Sequence, residues 1–325
     1  MRNKITIKDV AKYANVSVAT VSRVINNKGY VYEETRKSVL NAIKELKFEP
    51  NILARSLTNK HSNLIGIFVP HLGTNFYGGI IEGIEQASLK YNYKTFICDI
   101  QNSADLERDY LSLIEQYNIE GLVVASNPFY PEELASLNIP IVSIDHVISD
   151  NIPSISSDNF NGGKLAAKKF KSTGAKNILL LRGPSFLLTS KERTNGFLSE
   201  YENVKDVKIS MLDTNLLNPE LDVIEKEIKS NNYDAIFALS DTLALAVIGV
   251  LSRMGKKIPD EVQIIGFDDA PFAKWTSPTI TSINQSIHQI GAFALETLNT
   301  LINDEEVSNM KPTIDVELVE RQTTK

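Results

Sequence analysis

Two patterns of apolar and polar positions divide the chain. Over the first fifty residues, short apolar sets recur at helical spacing: Val10, Ala11 and Ala14, then Val21, Val24 and Ile25, then Val39, Ile43 and Leu46. Each set places a stripe on one face of a short helix, so three helices can share one small core. Thr6 and Ser17 stand at N-cap positions, while Asp9 and Glu33-Glu34 sit in opening turns, where the helix dipole favours negative charge. Asn15-Val16-Ser17 makes the turn between the first two helices, the third is predicted over about 33–47, and Pro50 closes the module.

From Leu64 the pattern changes to continuous apolar runs. These are LIGIFV (64–69), KTFICDI (94–100), GLVVA (121–125), PIVSI (140–144), NILLL (177–181), AIFAL (235–239) and VQIIGF (262–267). Strands of this kind are buried on both faces, which implies parallel sheets covered by helices. Amphipathic helical patterns fall between them, at 76–91, 105–117, 162–173, 220–229 and 242–254. The expectation is a doubly wound α/β body long enough for two sheets. Ligands in such bodies bind beyond the carboxyl ends of the strands. The residues there are Thr74 to Tyr77, Asp145 and His146, Arg182 to Arg193, Ser240 and Asp241, and Asp268 and Asp269. Aromatic rings that cover C–H faces, together with carboxylates that accept from hydroxyls, suit a small polyol. Taken singly, Ser240 or Asp241 reads equally well as a helix cap.

Charge sharpens the division. Residues 1–60 carry twelve Lys and Arg against five Asp and Glu, whereas the whole chain has a net charge of −6, so the remainder holds −13. A basic module on an acidic body binds a polyanion locally. MRNKIT has no apolar stretch behind it, and the longest apolar run is too short to span a bilayer, so neither a secretory signal nor a membrane anchor is expected. A single cysteine, Cys98, allows no internal disulfide and points to the cytoplasm. The four histidines have no metal-ligand spacing, and no metal or cofactor is expected. The nucleophile elbow, phosphate-binding loop and dinucleotide turn are all missing, so no enzyme is expected.

The first two helices have the arrangement of a helix-turn-helix, with Val18, Ala19, Ser22 and Arg23 outward on the second. Arg reads guanine and small apolar side chains meet thymine methyls, although the same pattern also fits a helical hairpin packed on a larger domain. Residues 51–61, with Arg55 and Lys60, fit either a plain linker or a segment that becomes helical on a partner.

IKDVAKYANVSVATVSRVIN, followed by EPNILARSLTNK and a core ending VERQTTK, resembles the LacI/GalR family of bacterial transcription repressors over essentially the whole chain. Within it, GYVYEETR, LLRGPSFLLTSKERTNGF, SSDNFNGGKLAA and IPDEVQIIGFDD resemble the ribose-operon repressors most, and the sucrose-operon repressors next. The resemblance implies an N-terminal three-helix helix-turn-helix DNA-binding domain (1–50) and a hinge helix or linker (51–61). It further implies a periplasmic-binding-protein-like core (62–325) of two doubly wound parallel-sheet subdomains, about 62–157 with 287–314 and 158–286 with 315–325. Val18, Ala19 and Arg23 match base-reading positions. Thr6, Ser17, Thr20, Ser22 and Asn26 match phosphate contacts, and Ala54 and Leu57 match the hinge that enters the minor groove. In the effector pocket, Phe76 and Tyr77 match the aromatic pair around the sugar, and Asp145, Arg193, Asp268 and Gln285 match polar contacts. Thr74 and Ser240 stand where ribose binders commonly carry Asn, and His146 where they carry Arg. Tyr32 replaces a usual serine N-cap. The implied protein is a homodimer on a palindromic operator, controlled by a small sugar, ribose first. A sucrose or phosphosugar sensor, a carbon-catabolite regulator and a sugar-binding transport receptor are the alternatives.

Overall fold

The computed structural model describes residues 5–25, 29–48, 62–216 and 218–325. The chain forms two compact units, Met1–Ser62 and Asn63–Lys325.

The first unit contains α1 (Ile7–Tyr13), α2 (Val18–Ile25) and α3 (Glu33–Glu45). Val10, Ala11, Val21, Val24, Val39 and Ala42 form its buried centre, with Ile25, Ile43 and Leu46 packed around them. At the start of α1 the Thr6 N–H and hydroxyl both donate to Asp9 Oδ2, at 2.8 and 2.7 Å. Those bonds hold the Asp9 carboxyl below its ordinary pKa. Asn15 turns the chain in the left-handed region (φ 52°), which Asn tolerates better than most residues. Ser17 Oγ then accepts the Thr20 N–H at 3.0 Å and caps α2. Tyr32 opens α3 with no side-chain cap bond, as an aromatic in a serine position must.

The second unit carries two six-stranded sheets. The first comprises β1 (Leu64–Val69), β2 (Lys94–Asp99), β3 (Gly121–Val124), β4 (Ile141–Ile144), β5 (Ser154–Ser157) and β11 (Thr313–Ile314), in the order β11-β5-β4-β3-β1-β2, all parallel. The second comprises β6 (Asn177–Arg182), β7 (Lys208–Asp213), β8 (Ala235–Ala238), β9 (Gln263–Asp268), β10 (Thr281–Asn284) and β12 (Glu317–Val319), in the order β12-β10-β9-β8-β6-β7. Only β12 runs antiparallel to its neighbour, β10. Helices α4 (Asn75–Tyr91), α5 (Ala104–Gln116), α6 (Pro131–Ala135) and α11 (Ile287–Ile302) belong to the first sheet. To the second belong α7 (Asn159–Ser172), α8 (Leu188–Ser199), α9 (Leu221–Ser230) and α10 (Asp241–Arg253).

All seven apolar runs are strands; six are inner strands, covered on both sides with no polar face to display, and β2 lies at the sheet edge with exposed and half-buried positions. The other strands lack that signal. β5 reads SISS and β10 reads TSIN, and buried hydroxyls in both find partners: Ser154 donates to His146 O, Ser157 to Gln285 Oε1 and Ser282 to Asp241. β7 is an edge strand with exposed and half-buried positions. Helices α7 and α8 touch backbone to backbone, since a Cβ on Gly163 would collide with Arg193 O and one on Gly196 with Phe160 O. That close approach sets where Arg193 stands. Among the described residues no helix is long and apolar enough to cross a membrane.

Candidate functional site

In the first unit, α2 separates two faces. Val21 and Val24 are buried, whereas Val18, Ala19 and Arg23 are exposed and Thr20 and Ser22 half-buried. An exposed valine and alanine beside an arginine offer apolar contact and paired N–H donors on one turn-length patch, the groups that read thymine methyls and guanine edges. Ser17 and Thr6 lie exposed at the N-termini of α2 and α1, where helix ends favour an anion. Asn26 and all of 51–61, with Ala54 and Leu57, lie outside the described residues.

In the second unit, eight of the nine candidate effector residues line one cavity of about 380 Å³. Thr74, Phe76 and Tyr77 come from the start of α4, and Asp145 and His146 from the carboxyl end of β4. Arg193 comes from α8, Ser240 from the end of β8, and Asp268 is the last residue of β9. Strand ends that are distant in sequence converge because both sheets point their carboxyl edges at the space between them. The Phe76 and Tyr77 rings meet edge to face, centroids 5.1 Å apart. Thr74 and Ser240 are also helix caps: Thr74 Oγ1 accepts from Tyr77 N at 3.4 Å, and Ser240 Oγ from Leu243 N at 3.2 Å.

Gln285 is the candidate that does not line the cavity. It is fully buried and stands behind the wall: its Nε2 donates to Asp268 Oδ1 at 2.5 Å, and its Oε1 accepts from Ser157 Oγ at 2.8 Å. The resemblance carries a polar role to the position, and in the ligand-free chain the amide joins Asp268 to Ser157.

Burial dominates the electrostatics. It pushes Asp145 up to about 6 and Asp268 up to about 7, although the Arg193 guanidinium opposes both shifts. His146 is held down to about 4 by the same desolvation and is neutral near pH 7. Arg193 Nη1 lies 4.0 Å from Asp268 Oδ1 and donates to Leu239 O at 2.7 Å, while Nε donates to Asn159 Oδ1 at 2.7 Å. Its guanidinium also covers the Phe267 ring, 3.6 Å from the centroid. Asp145 Oδ1 and His146 Nε2 have no hydrogen-bond partner within the protein, which leaves acceptor and donor capacity for a ligand. Asp268 adopts φ 118°, a sparsely populated conformation for a non-glycine residue. Beneath it the buried Asp241 carboxylate accepts from Ala270 N and Ser282 Oγ, both at 2.7 Å, and Arg321 pairs with Asp269 at 2.5 Å.

Other lining residues were not among the nine effector candidates, Asn127 and Phe186 among them. Asn127 lies three residues beyond β3, where the strand-end rule points as well as it does after β4. Phe186, 76% exposed at the cavity's rim, falls within the stretch from Arg182 to Arg193 beyond β6 but carries no polar group that would single it out. Among the described residues, no cluster of His, Cys, Asp and Glu has the arrangement of a metal site.

Residues 6–51 match the family of bacterial regulatory proteins, lacI family, and residues 167–324 match the periplasmic binding protein-like domain. A ribose operon repressor of Halalkalibacterium halodurans is 34% identical over 322 residues, covering 98% of this chain and 97% of its own. A sucrose operon repressor of Streptococcus mutans serotype c is 34% identical over 310 residues, covering 92% and 93% respectively. A periplasmic binding protein/LacI transcriptional regulator from Alkaliphilus metalliredigens, complexed with D-xylulofuranose, superposes with a TM-score of 0.73 at 32% identity over 81% of this chain and 99% of that one.

Proposed function

The chain belongs to the lacI family of bacterial regulatory proteins, and from that membership we propose that it is an operator-binding transcriptional repressor controlled by a small neutral sugar. Ribose is the first candidate. The observation that carries this reading is one cavity lined by Phe76, Tyr77, Asp145, Arg193 and Asp268 in a chain that begins with a helix-turn-helix. Aromatic rings cover the C–H face of a sugar, and the carboxylates and guanidinium take its hydroxyls.

The mechanism is a coupling between two sites. Two copies of the chain place two α2 helices on the symmetric half-sites of a palindromic operator, so a modest single-site affinity is multiplied. Leu57 of the segment before the core enters the minor groove at the operator centre, as the resemblance implies, and wedges a base step, with Ala54 a further DNA contact of the same segment. The sugar binds between the two sheets and favours one relative orientation of them. Only a sugar that prefers the orientation unsuited to DNA releases the operator, and the operator weakens sugar binding by the same factor. The protein acts in the cytoplasm and performs no catalysis: Asp145 and Asp268 serve as hydroxyl acceptors.

A sucrose effector is the second reading, supported by the sucrose operon repressor at the same 34% identity. A phosphosugar fits poorly, because among the described lining residues Arg193 is the sole Lys or Arg and it faces two carboxylates. The test is a calorimetric screen of ribose, xylulose, sucrose, fructose and their phosphates against the full chain, with operator release as the readout. A free sugar that binds and releases operator is the expected result. Binding of phosphorylated sugars alone contradicts the neutral-ligand reading.

A further inference from the structure

A closed ring of buried polar contacts ties the cavity's ion pair to the places where the chain passes between the two sheets. The chain crosses three times: at 158, between β5 and α7; at 285–286, between β10 and α11; and at 315–316, between β11 and β12. Ser157 Oγ donates to Gln285 Oε1, and Gln285 Nε2 donates to Asp268 Oδ1. Asp268 faces Arg193 at 4.0 Å, and Arg193 Nε donates to Asn159 Oδ1. Asn159 Nδ2 donates back to Ser157 O at 3.1 Å, which closes the circuit. Ser157, Asn159 and Gln285 are 1%, 1% and 0% exposed, so water cannot substitute for any of these partners.

The ring's polarity is fixed by chemistry. While Asp268 is ionised it only accepts, so the Gln285 amide then presents N–H to Asp268 and its oxygen to the Ser157 hydroxyl. Flipping the amide would set two acceptors against each other in a buried space. Gln285 itself lies in the second crossing and Ser157 and Asn159 flank the first. The third crossing is tied in beside them: Asp158 N donates to Ile314 O at 2.9 Å, and Asn284 Nδ2 donates to Glu317 Oε1 at 3.2 Å. Any rotation of one sheet against the other must change backbone angles at these crossings, so a change at Asp268 or Arg193 reaches them through the hydrogen bonds of Gln285 and Asn159.

We infer that Ser157 and Asn159 are positioning residues that do not touch the sugar and, with Gln285 as the link to Asp268, convert its contact with Asp268 and Arg193 into rotation of the sheets. This rests on the regulatory reading above. A hydroxyl that engages Asp268 or Arg193 competes for the same atoms that hold the ring, so occupancy resets the Gln285 and Asn159 bonds and, with them, two crossings. Ligand affinity resides in the cavity wall. The size of the response resides in the ring.

The test uses the full chain with Ser157→Ala, Ser157→Thr and Gln285→Leu, and D-ribose, D-xylulose and sucrose as probes. Probe affinity is read by calorimetry, operator release by fluorescence anisotropy at saturating probe, and sheet closure by small-angle scattering with and without probe. In Ser157→Ala, affinity stays within about threefold of wild type while saturating probe weakens operator binding by less than about twofold. Ser157→Thr, which keeps the hydroxyl, restores the wild-type weakening. Full release and full closure at saturation in both Ser157→Ala and Gln285→Leu overturn the inference, whatever their probe affinities. Failure of the regulatory reading looks different: the wild type itself then binds no probe, or binds one and keeps its operator.

Discussion

The exposed face of α2 and the cavity of the second unit are built on opposite terms. On α2, functional side chains are neighbours in sequence, face solvent and need only a helix to be correctly placed: Val18, Ala19 and Arg23 are exposed while Val21 and Val24 hold the core. In the cavity, groups from Thr74 to Asp268 meet only after two sheets have formed, and Arg193 and Asp268 are fixed by buried partners. A local, solvated site can change its specificity one residue at a time. A convergent, desolvated site cannot, because Arg193 or Asp268 removed alone strands the groups that hold it.

The largest effect that would break this contrast is at Asp268. Asp268→Asn removes a buried charge-assisted acceptor while keeping the shape, and sugar affinity is expected to fall roughly 100-fold, each bond to a charged group being worth about 1.5–3 kcal/mol. Operator affinity without sugar stays at the wild-type value. Calorimetry and anisotropy on the same preparation check both, and loss of DNA binding would make Asp268 a folding residue.

A smaller effect is expected on the DNA face. Arg23→Ala costs about 1–3 kcal/mol at the guanine it reads and relaxes specificity at that position alone. Binding-site selection on wild type and variant reads this, and an unchanged consensus would remove Arg23 from the base-reading set.

The cavity also carries a pH signature that α2 lacks. Asp145 and Asp268, raised to about 6 and about 7, bind protons more tightly in the folded chain than in the unfolded one. Their stabilising contribution is complete below about pH 4, the unfolded carboxyl value, and is lost as pH rises through 6 and 7. His146, lowered to about 4, runs the other way: its contribution is present above about pH 6.5 and is lost as pH falls through 4. Between about pH 6.5 and 8 the Asp268 effect is still changing, beside that of Asp241, which burial and the neighbouring Asp268 also push up, so the thermal midpoint falls across that window and falls less in Asp268→Asn. Equal slopes for the two proteins would contradict the burial assigned to that carboxyl.

The smallest effect is at a cap. Ser17→Ala removes the acceptor for Thr20 N and costs about 1 kcal/mol of stability, seen in thermal unfolding of the full chain without DNA. No change there would mean that tertiary packing alone holds the start of α2.

The sequence displays these two regions unequally. Parallel strands such as LIGIFV and NILLL announce themselves by continuous apolar residues, and strand ends then indicate where Asp145 and Asp268 lie. SISS and TSIN do not, because their hydroxyls are buried through partners such as His146 O and Asp241 that are remote or unremarkable in sequence. Asn159 resembles an ordinary residue beside a helix cap, and nothing local to it reveals a bond to Arg193, 34 positions away. Gln285 shows the same limit in reverse. Its polarity suggests a ligand contact, and only the fold shows that both ends of its amide are already engaged.

The most direct test of sugar-controlled operator binding is an anisotropy titration of full-length protein with a labelled palindromic operator, in the absence of sugar and at saturating D-ribose. A salt-dependent complex without sugar, weakened at least about fivefold by ribose, is the expected result. An affinity for operator that no free sugar changes, from a protein that binds the sugar measurably, would contradict it.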